Sequence, residues 1–310
     1  MIKEAHAVEK QIYLFGQILG THSFYLKNGF PIPDEYSEIS EKYFLPGGET
    51  GSAATVLSSL GAKVKMDGTH IGREVADMLR SFYANKSVDL SSMCFDKDYA
   101  GLMDYVLISG FDRTPMGTFQ QLYASGVKRW NAPAEKDIQD ADVVGIDPFF
   151  MEETQLAAEL CVKHNKPYVT IDCAHETYLH RHAAVNVVSK ECLGSDYQGM
   201  DKEAVMALMQ ENTDGLTIIT SGGNDILYAR KGQPIRHMKP FRVEVRSTLG
   251  AGDTFKAGCL YALMQGYPDD KLVRFAAACS AIAISRYPLP LHPPTMQEVE
   301  ALLNSQPGEA

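Results

Sequence analysis

Long hydrophobic runs are missing from this chain of 310 residues: it has no stretch of about twenty uninterrupted apolar residues, the length a membrane-spanning helix requires. Paired cysteine motifs are missing too. The six cysteines, at 94, 161, 173, 192, 259 and 279, include no Cys-x-x-Cys and carry no metal-ligand spacing, so neither a disulfide framework nor a metal site is expected. They read as reduced, buried thiols. Net positive charge is absent: 29 Lys and Arg stand against 39 Asp and Glu, giving −10, which argues against a nucleic-acid surface but not against a local site for a small anion. The opening Met1-Ile2-Lys3-Glu4-Ala5-His6 lacks the basic-then-apolar order of a secretory signal, so a cytoplasmic location is expected. No Gly-Lys-Ser or Gly-Lys-Thr occurs, which removes the Walker phosphate loop. Tryptophan is reduced to Trp130, read as a packing residue, and there is no internal repeat, low-complexity tract or linker.

What is present is a chain 45% hydrophobic, long enough to bury a substantial core. Short apolar runs at 12–19, 62–67, 142–146, 167–171, 185–188 and 216–220 suit strands buried on both faces. Between them, 50–60, 73–86, 153–164 and 201–211 carry helical spacing, as in Ala53, Val56, Leu57 and Leu60. The alternation predicts an α/β fold with a mainly parallel sheet flanked by helices. Regions 21–46 and 98–123 break it and read as extended, hairpin-rich insertions, while helices are expected at 252–265, 269–285 and 295–303, with a frayed tail from Asn304 to Ala310.

The densest signal is Ser247-Thr248-Leu249-Gly250-Ala251-Gly252-Asp253-Thr254-Phe255. The helical pattern of Phe255, Cys259, Ala262 and Leu263 begins there, so the two glycines would enter a helix whose first N–H groups carry partial positive charge. Gly250 and Gly252 would let an anion approach the backbone, and Asp253 adds a carboxylate that suits a general base beside a transferring phosphoryl group. The plainer alternative is a turn with an acidic cap. A dinucleotide-binding fingerprint fits poorly, since it needs a third glycine where Phe255 stands and belongs to the first strand-helix unit.

The run from Thr248 to Phe255, followed by Ala257-Gly258, resembles the signature of the PfkB-type, ribokinase-like carbohydrate kinases. A second resemblance lies in Pro46-Gly47-Gly48-Glu49-Thr50-Gly51-Ser52-Ala53-Ala54, ending at Leu60-Gly61, which is similar to the glycine pair and helix that close over the sugar. Val187-Val188-Ser189-Lys190-Glu191 resembles the nucleotide-side strand end, in a form closer to ketohexokinases, and Thr220-Ser221-Gly222-Gly223-Asn224-Asp225 falls at the family's nucleotide loop. The resemblance covers about residues 11 to 303. It implies a ribokinase-like three-layer α/β/α sandwich over 1–310, with the 21–46 and 98–123 segments as a small β lid over the sugar and a homodimer contact through that lid. It also implies ATP with Mg²⁺, a monovalent cation being left open, and a sugar or sugar-like acceptor.

The implied roles are Asp253 as base with the amides of Gly250, Ala251 and Gly252 as anion hole. Ser189, Thr220, Gly222, Gly223 and Asp225 fall on the nucleotide side; Gly47, Gly48, Glu49 and Arg113 on the acceptor side. Each has a bland counterpart: Gly222 and Gly223 as a simple turn, Glu49 as a helix cap, Arg113 as an exposed hairpin arginine. The chain also departs from the pattern. The usual first-strand aspartate is missing from Gly16-Gln17-Ile18-Leu19-Gly20, Asp225 replaces a glycine, and Cys192 stands where the family's magnesium-organising Glu would be. Glu49 is the candidate substitute for the missing aspartate, since a carboxylate accepts two sugar O–H groups, with the helix cap as the equal alternative. Asp172, ending a strand, is placed to shape the phosphate side; His175, His180 and His182 read as solvated rather than as a metal site. Two other functions remain open: a nucleoside kinase, and a non-catalytic sugar- or nucleotide-binding regulatory homologue.

Overall fold

The computed structural model describes residues 10–306. Its centre is a nine-stranded sheet in the order Arg236–Met238, Ile226–Ala229, Leu216–Ile219, Val185–Val188, Tyr168–Ile171, Val143–Ile146, Gln11–Gly16, Lys63–Gly68, Val88–Asp89. From Val88–Asp89 across to Leu216–Ile219 all neighbours run parallel; only the two strands beyond are antiparallel. The four-residue strands at 143–146, 168–171, 185–188 and 216–219 are buried along their whole length, as strands covered on both faces must be.

Alternation along each strand builds the layers. Ile12 and Leu14 face a core shared with helices Gly48–Ser59, Ala251–Met264 and Asp269–Ile284, whereas Tyr13 and Phe15 face a separate core with helix Glu152–Lys163. A third cluster packs helix Lys202–Gln210 under Val188, Ile219 and Leu227. A second, four-stranded sheet in the order Ile39–Gly47, Leu19–Leu26, Met103–Ser109, Asp112–Gly117 stands beside the first.

The run 12–19, expected as one strand, is two. It breaks at Gln17 and Ile18, whose N–H groups donate to Asp147 Oδ2 (2.9 Å) and Thr69 Oγ1 (3.2 Å) instead of to a neighbouring strand. The chain then crosses from one sheet to the other at Leu19. Periodicity could not report this, because Gln17 and Ile18 are as buried as the strands they separate. Within 98–123 the last turn is helical, Phe119–Ala124, since Leu122 buries against Leu19 and Leu102. Short helices at Glu135–Asp140, Tyr178–His182 and Lys190–Asp196 were not visible in the pattern. The final helix, Met296–Ser305, runs past the expected fraying point at Asn304, and residues 307–310 lie outside the described residues.

Gly258 shows how closely the outer layer packs: a Cβ there would lie 2.6 Å from the Ala276 Cα of the adjacent helix. Gly258→Ala is expected to lower unfolding stability by about 1–3 kcal/mol through forced separation of the two helices, measurable by urea denaturation; an unchanged midpoint would contradict this packing.

Candidate active site

The carboxyl ends of the parallel strands carry Gln17, Asp147, Asp172 and Ser189, the edge at which open α/β sheets bind ligands. A cleft of about 330 Å³ lies between this edge, the second sheet and the start of helix Ala251–Met264. Gly47, Gly48, Glu49, Arg113, Ser189, Gly250, Ala251, Gly252 and Asp253 all line it, so residues spread across two hundred positions of sequence meet at one place. Thr220, Gly222, Gly223 and Asp225 do not line this cleft. They belong to the loop between Leu216–Ile219 and Ile226–Ala229, tied to the adjacent strand by Thr220 N–H donating to the Val188 carbonyl (2.9 Å).

Gly250 caps the helix in the left-handed region, φ +79°, and a Cβ on it would lie 2.5 Å from the Leu289 side chain. Both constraints require glycine. The Ala251 N–H, expected in the anion hole, instead donates to the Thr248 carbonyl (3.2 Å) and closes the turn. The Gly252 and Asp253 N–H groups are left without an acceptor among the described residues, as the start of a helix dictates. Gly252 is revealing, because nothing in the protein demands it: a Cβ would only reach van der Waals contact with Ile171 at 3.6 Å. What its absence preserves is space in the cleft in front of those two N–H groups.

Asp253 projects into this space. Burial pushes its carboxyl up to about 6, and Asp147 adds to the rise, against the opposing pull of Lys256, the Ser52 hydroxyl and Arg113. Glu49 faces it from helix Gly48–Ser59; burial first, then the charges of Asp253 and Asp147, lift it well above the usual carboxylate range. The Glu49 carboxyl takes a hydrogen bond from its own backbone N–H in the first turn of the helix, and its Oε2 is buried with no hydrogen-bond partner. The glycine pair before it has a packing cause: Gly48 has φ +78° with a Cβ position 2.5 Å from the Gln17 carbonyl oxygen, and Gly47 lies against the Thr21 hydroxyl.

Two residues that sequence reasoning passed over organise all of this. Lys256 and Asp147 form an ion pair with both side chains fully buried. The other Asp147 oxygen accepts from Gln17 N–H (2.9 Å) and the Thr50 hydroxyl (2.8 Å). The available signal was a lysine among the apolar residues Phe255, Ala257, Cys259 and Leu260 of a helix and an aspartate directly after the strand Val143–Ile146.

On the far side, Ser189 is already engaged. Its hydroxyl donates to Asp172 Oδ2 (2.8 Å) and accepts from Cys192 N–H (3.1 Å), and its own N–H donates to Asp172 Oδ1 (2.6 Å). Asp172 holds φ +52°, unusual for a residue with a Cβ, and these bonds fix it there. Arg113 is not a free hairpin arginine: it reaches across to the Thr248 hydroxyl and to Glu191, both at 2.9 Å. The histidines do not gather. His180 is fully buried between the Met209 carbonyl and Asn186, contrary to its reading as solvated, His182 packs on Tyr178, and no group of three ligating side chains suits a metal among the described residues. Trp130 stacks on Phe150 at 5.4 Å, as a packing residue should. No described helix is long and apolar enough to cross a membrane.

Because a lone buried charge is far more costly than a matched pair, Lys256→Met should destabilise the fold by about 3–5 kcal/mol, and adding Asp147→Asn should recover much of that loss. Thermal or urea unfolding of the single and double variants checks it; a double variant as unstable as the sum of the two singles would show that the pair is not coupled.

Comparison with known proteins agrees with this geometry. The profile described as pfkB family carbohydrate kinase matches residues 10–290. A 5-dehydro-2-deoxygluconokinase of Bacillus licheniformis is 24% identical over 306 aligned positions, covering 88% of this chain and 90% of that protein. Among solved structures, Arabidopsis thaliana ribokinase complexed with ribose and ATP superposes with a TM-score of 0.77 at 16% identity, over 96% of this chain and 99% of that one. A nucleoside kinase of Methanocaldococcus jannaschii superposes with a TM-score of 0.76, also at 16% identity and covering 96% and 99% of the two chains. Fold, site and a match over most of the sequence lead to one conclusion: the chain belongs to the pfkB family of carbohydrate kinases.

Proposed function

We propose that the protein transfers the γ-phosphoryl group of ATP to a primary hydroxyl of a sugar or sugar-like acceptor, with Asp253 as general base. The observation that carries this reading is the placing of the Asp253 carboxylate in a cleft beside two N–H groups that have no acceptor in the protein. As the acceptor oxygen bonds to phosphorus and the bond to the β–γ bridging oxygen breaks, the hydroxyl proton passes to Asp253 and ADP leaves. The Gly252 and Asp253 amides, at the positive end of the helix, stabilise the charge on the phosphoryl oxygens, with Gly250 and Ala251 shaping the turn that aims them. Arg113, held at the same edge by Thr248 and Glu191, supplies the cationic side chain of the cleft lining.

Glu49 binds acceptor hydroxyls in place of the first-strand aspartate that the chain lacks, supported by its unpartnered oxygen opposite Asp253. Ser189, Thr220, Gly222, Gly223 and Asp225 form the nucleotide side, supported by the shared sheet edge and by the open space around Gly222 and Gly223. Magnesium would enter on the nucleotide phosphates and neutralise their charge. The residues do not build it a dedicated site, since Asp172 is committed to Ser189 and Glu191 to Arg113. The relative solved with ribose and ATP supports the donor and the acceptor class; the nucleoside kinase keeps a nucleoside acceptor in the comparison.

Acceptor-dependent ADP release from Mg·ATP across sugars and nucleosides tests the reading, and Asp253→Asn is expected to lower turnover by about 10²–10⁴ while nucleotide still binds. Near-normal turnover in that variant would remove Asp253 from the mechanism. Because the base acts ionised and its carboxyl titrates at about 6, kcat/KM should climb as pH rises through that value and level off above it. A profile flat across this range would contradict the assignment.

A further inference from the structure

Among the described residues, two carboxylate oxygens are buried without any hydrogen-bond partner, Glu49 Oε2 and Asp104 Oδ1. Both residues line the cleft, and they approach it from different elements: Glu49 from the first turn of helix Gly48–Ser59, Asp104 from the second sheet. Thr21 stands between the two elements: it lies directly across from Asp104 in the parallel strand pair, its hydroxyl donates to the Asp104 carboxyl, and it abuts Gly47, two residues before Glu49.

Among the described residues neither carboxyl has an ion-pair partner. Among them too, the cleft lining contains Arg113 as its only basic residue, and that guanidinium is engaged by Thr248 and Glu191 at the phosphoryl end. Lys256, behind the cleft, is spent on Asp147. This part of the cleft therefore holds more carboxyl groups than cations, and ionising them is costly in a partly dehydrated site. Burial pushes Asp104 up to about 6 against a hydrogen bond from the Thr21 hydroxyl, and burial with repulsion from Asp253 and Asp147 lifts Glu49 well above its usual range against the pull of Lys256.

Resting on the kinase reading for the identity of this cleft, we propose that Glu49 and Asp104 form a paired-carboxylate subsite that selects a polyhydroxylated acceptor carrying a protonated amine, and rejects sugar acids and sugar phosphates. A neutral polyol would satisfy the two oxygens with O–H donors but leave their charge in place. An ammonium group supplies up to three donors and the missing charge together, and an anionic acceptor would add to the repulsion. Specificity here comes as much from exclusion as from attraction.

Isothermal calorimetry on the full chain with a non-hydrolysable ATP analogue tests this with two matched series: glucosamine, glucose and gluconate, then 1-amino-1-deoxyfructose, fructose and 2-ketogluconate. In at least one series the amine should bind about tenfold or more tightly than the neutral sugar, with no measurable binding of the acid. Asp104→Asn and Glu49→Gln should each reduce the amine-to-neutral preference by about fivefold or more, with melting curves confirming that the variants fold. Absence of binding by both amines, an acid bound as tightly as its amine, or a preference unchanged in both variants would overturn the proposal. ADP release keeps the two readings apart: turnover without amine selectivity defeats only the subsite, and amine-selective binding without turnover of any acceptor defeats only the kinase mechanism.

Discussion

The buried contact between Lys256 and Asp147 is the constraint on which the site depends. One carboxylate holds four separate pieces of chain: Lys256 from the helix that begins at the Gly250-Ala251-Gly252 loop, Gln17 where the first strand ends, Thr50 in the helix bearing Glu49, and its own strand end. Gly16 must be a glycine for the same reason, since a Cβ there would lie 1.8 Å from Asp147 Oδ2. The pair is neutral as a unit and fully dehydrated, so its geometry is enforced by the cost of leaving either charge alone. Lys256 sits three residues after Asp253, and its ammonium pulls electrostatically on both Asp253 and Glu49.

Electrostatics then divide the cleft. Lys256 draws Asp253 and Glu49 downward while mutual repulsion and burial drive them up, and burial prevails in both. The outcome is a carboxyl that titrates near neutrality without leaving the range in which a carboxylate accepts a proton, a balance that a single exposed aspartate would not reach. On the opposite side, Asp172 is locked by Ser189 in a left-handed conformation and Arg113 is drawn between Thr248 and Glu191, so that end of the cleft is built from groups already satisfied by one another. Toward the second sheet, Glu49 and Asp104 each keep one buried oxygen unpaired. A site that spends its hydrogen bonds internally at one end and withholds them at the other has a direction.

Much of this fold could be read from local pattern. Doubly covered strands must be continuously apolar, and helices facing a core must repeat at helical spacing; both signals are strong at 142–146, 167–171, 185–188 and 216–220 and in Ala53, Val56, Leu57 and Leu60. The loop 250–253 was legible for a similar reason, because only a tight entry to a helix explains two glycines and an acid at that spacing. Less legible were the short helices at 135–140, 178–182 and 190–196, which are too brief to establish a period, and the crossing at Gln17 and Ile18, where buried polar partners replace the strand ladder.

By itself, then, the sequence determined the layered α/β architecture and the glycine-rich helix entry at 250–253, because both arise from regularities between residues a few positions apart. Tertiary structure alone decided that Lys256 pairs with Asp147, that Asp104 and Glu49 share a cleft, that Arg113 reaches Glu191, and that the Ala251 amide is consumed by Thr248. Three of these four are meetings between distant segments, and the last depends on how one turn closes; each is set by which buried polar group can satisfy another, a condition that has no period along the chain.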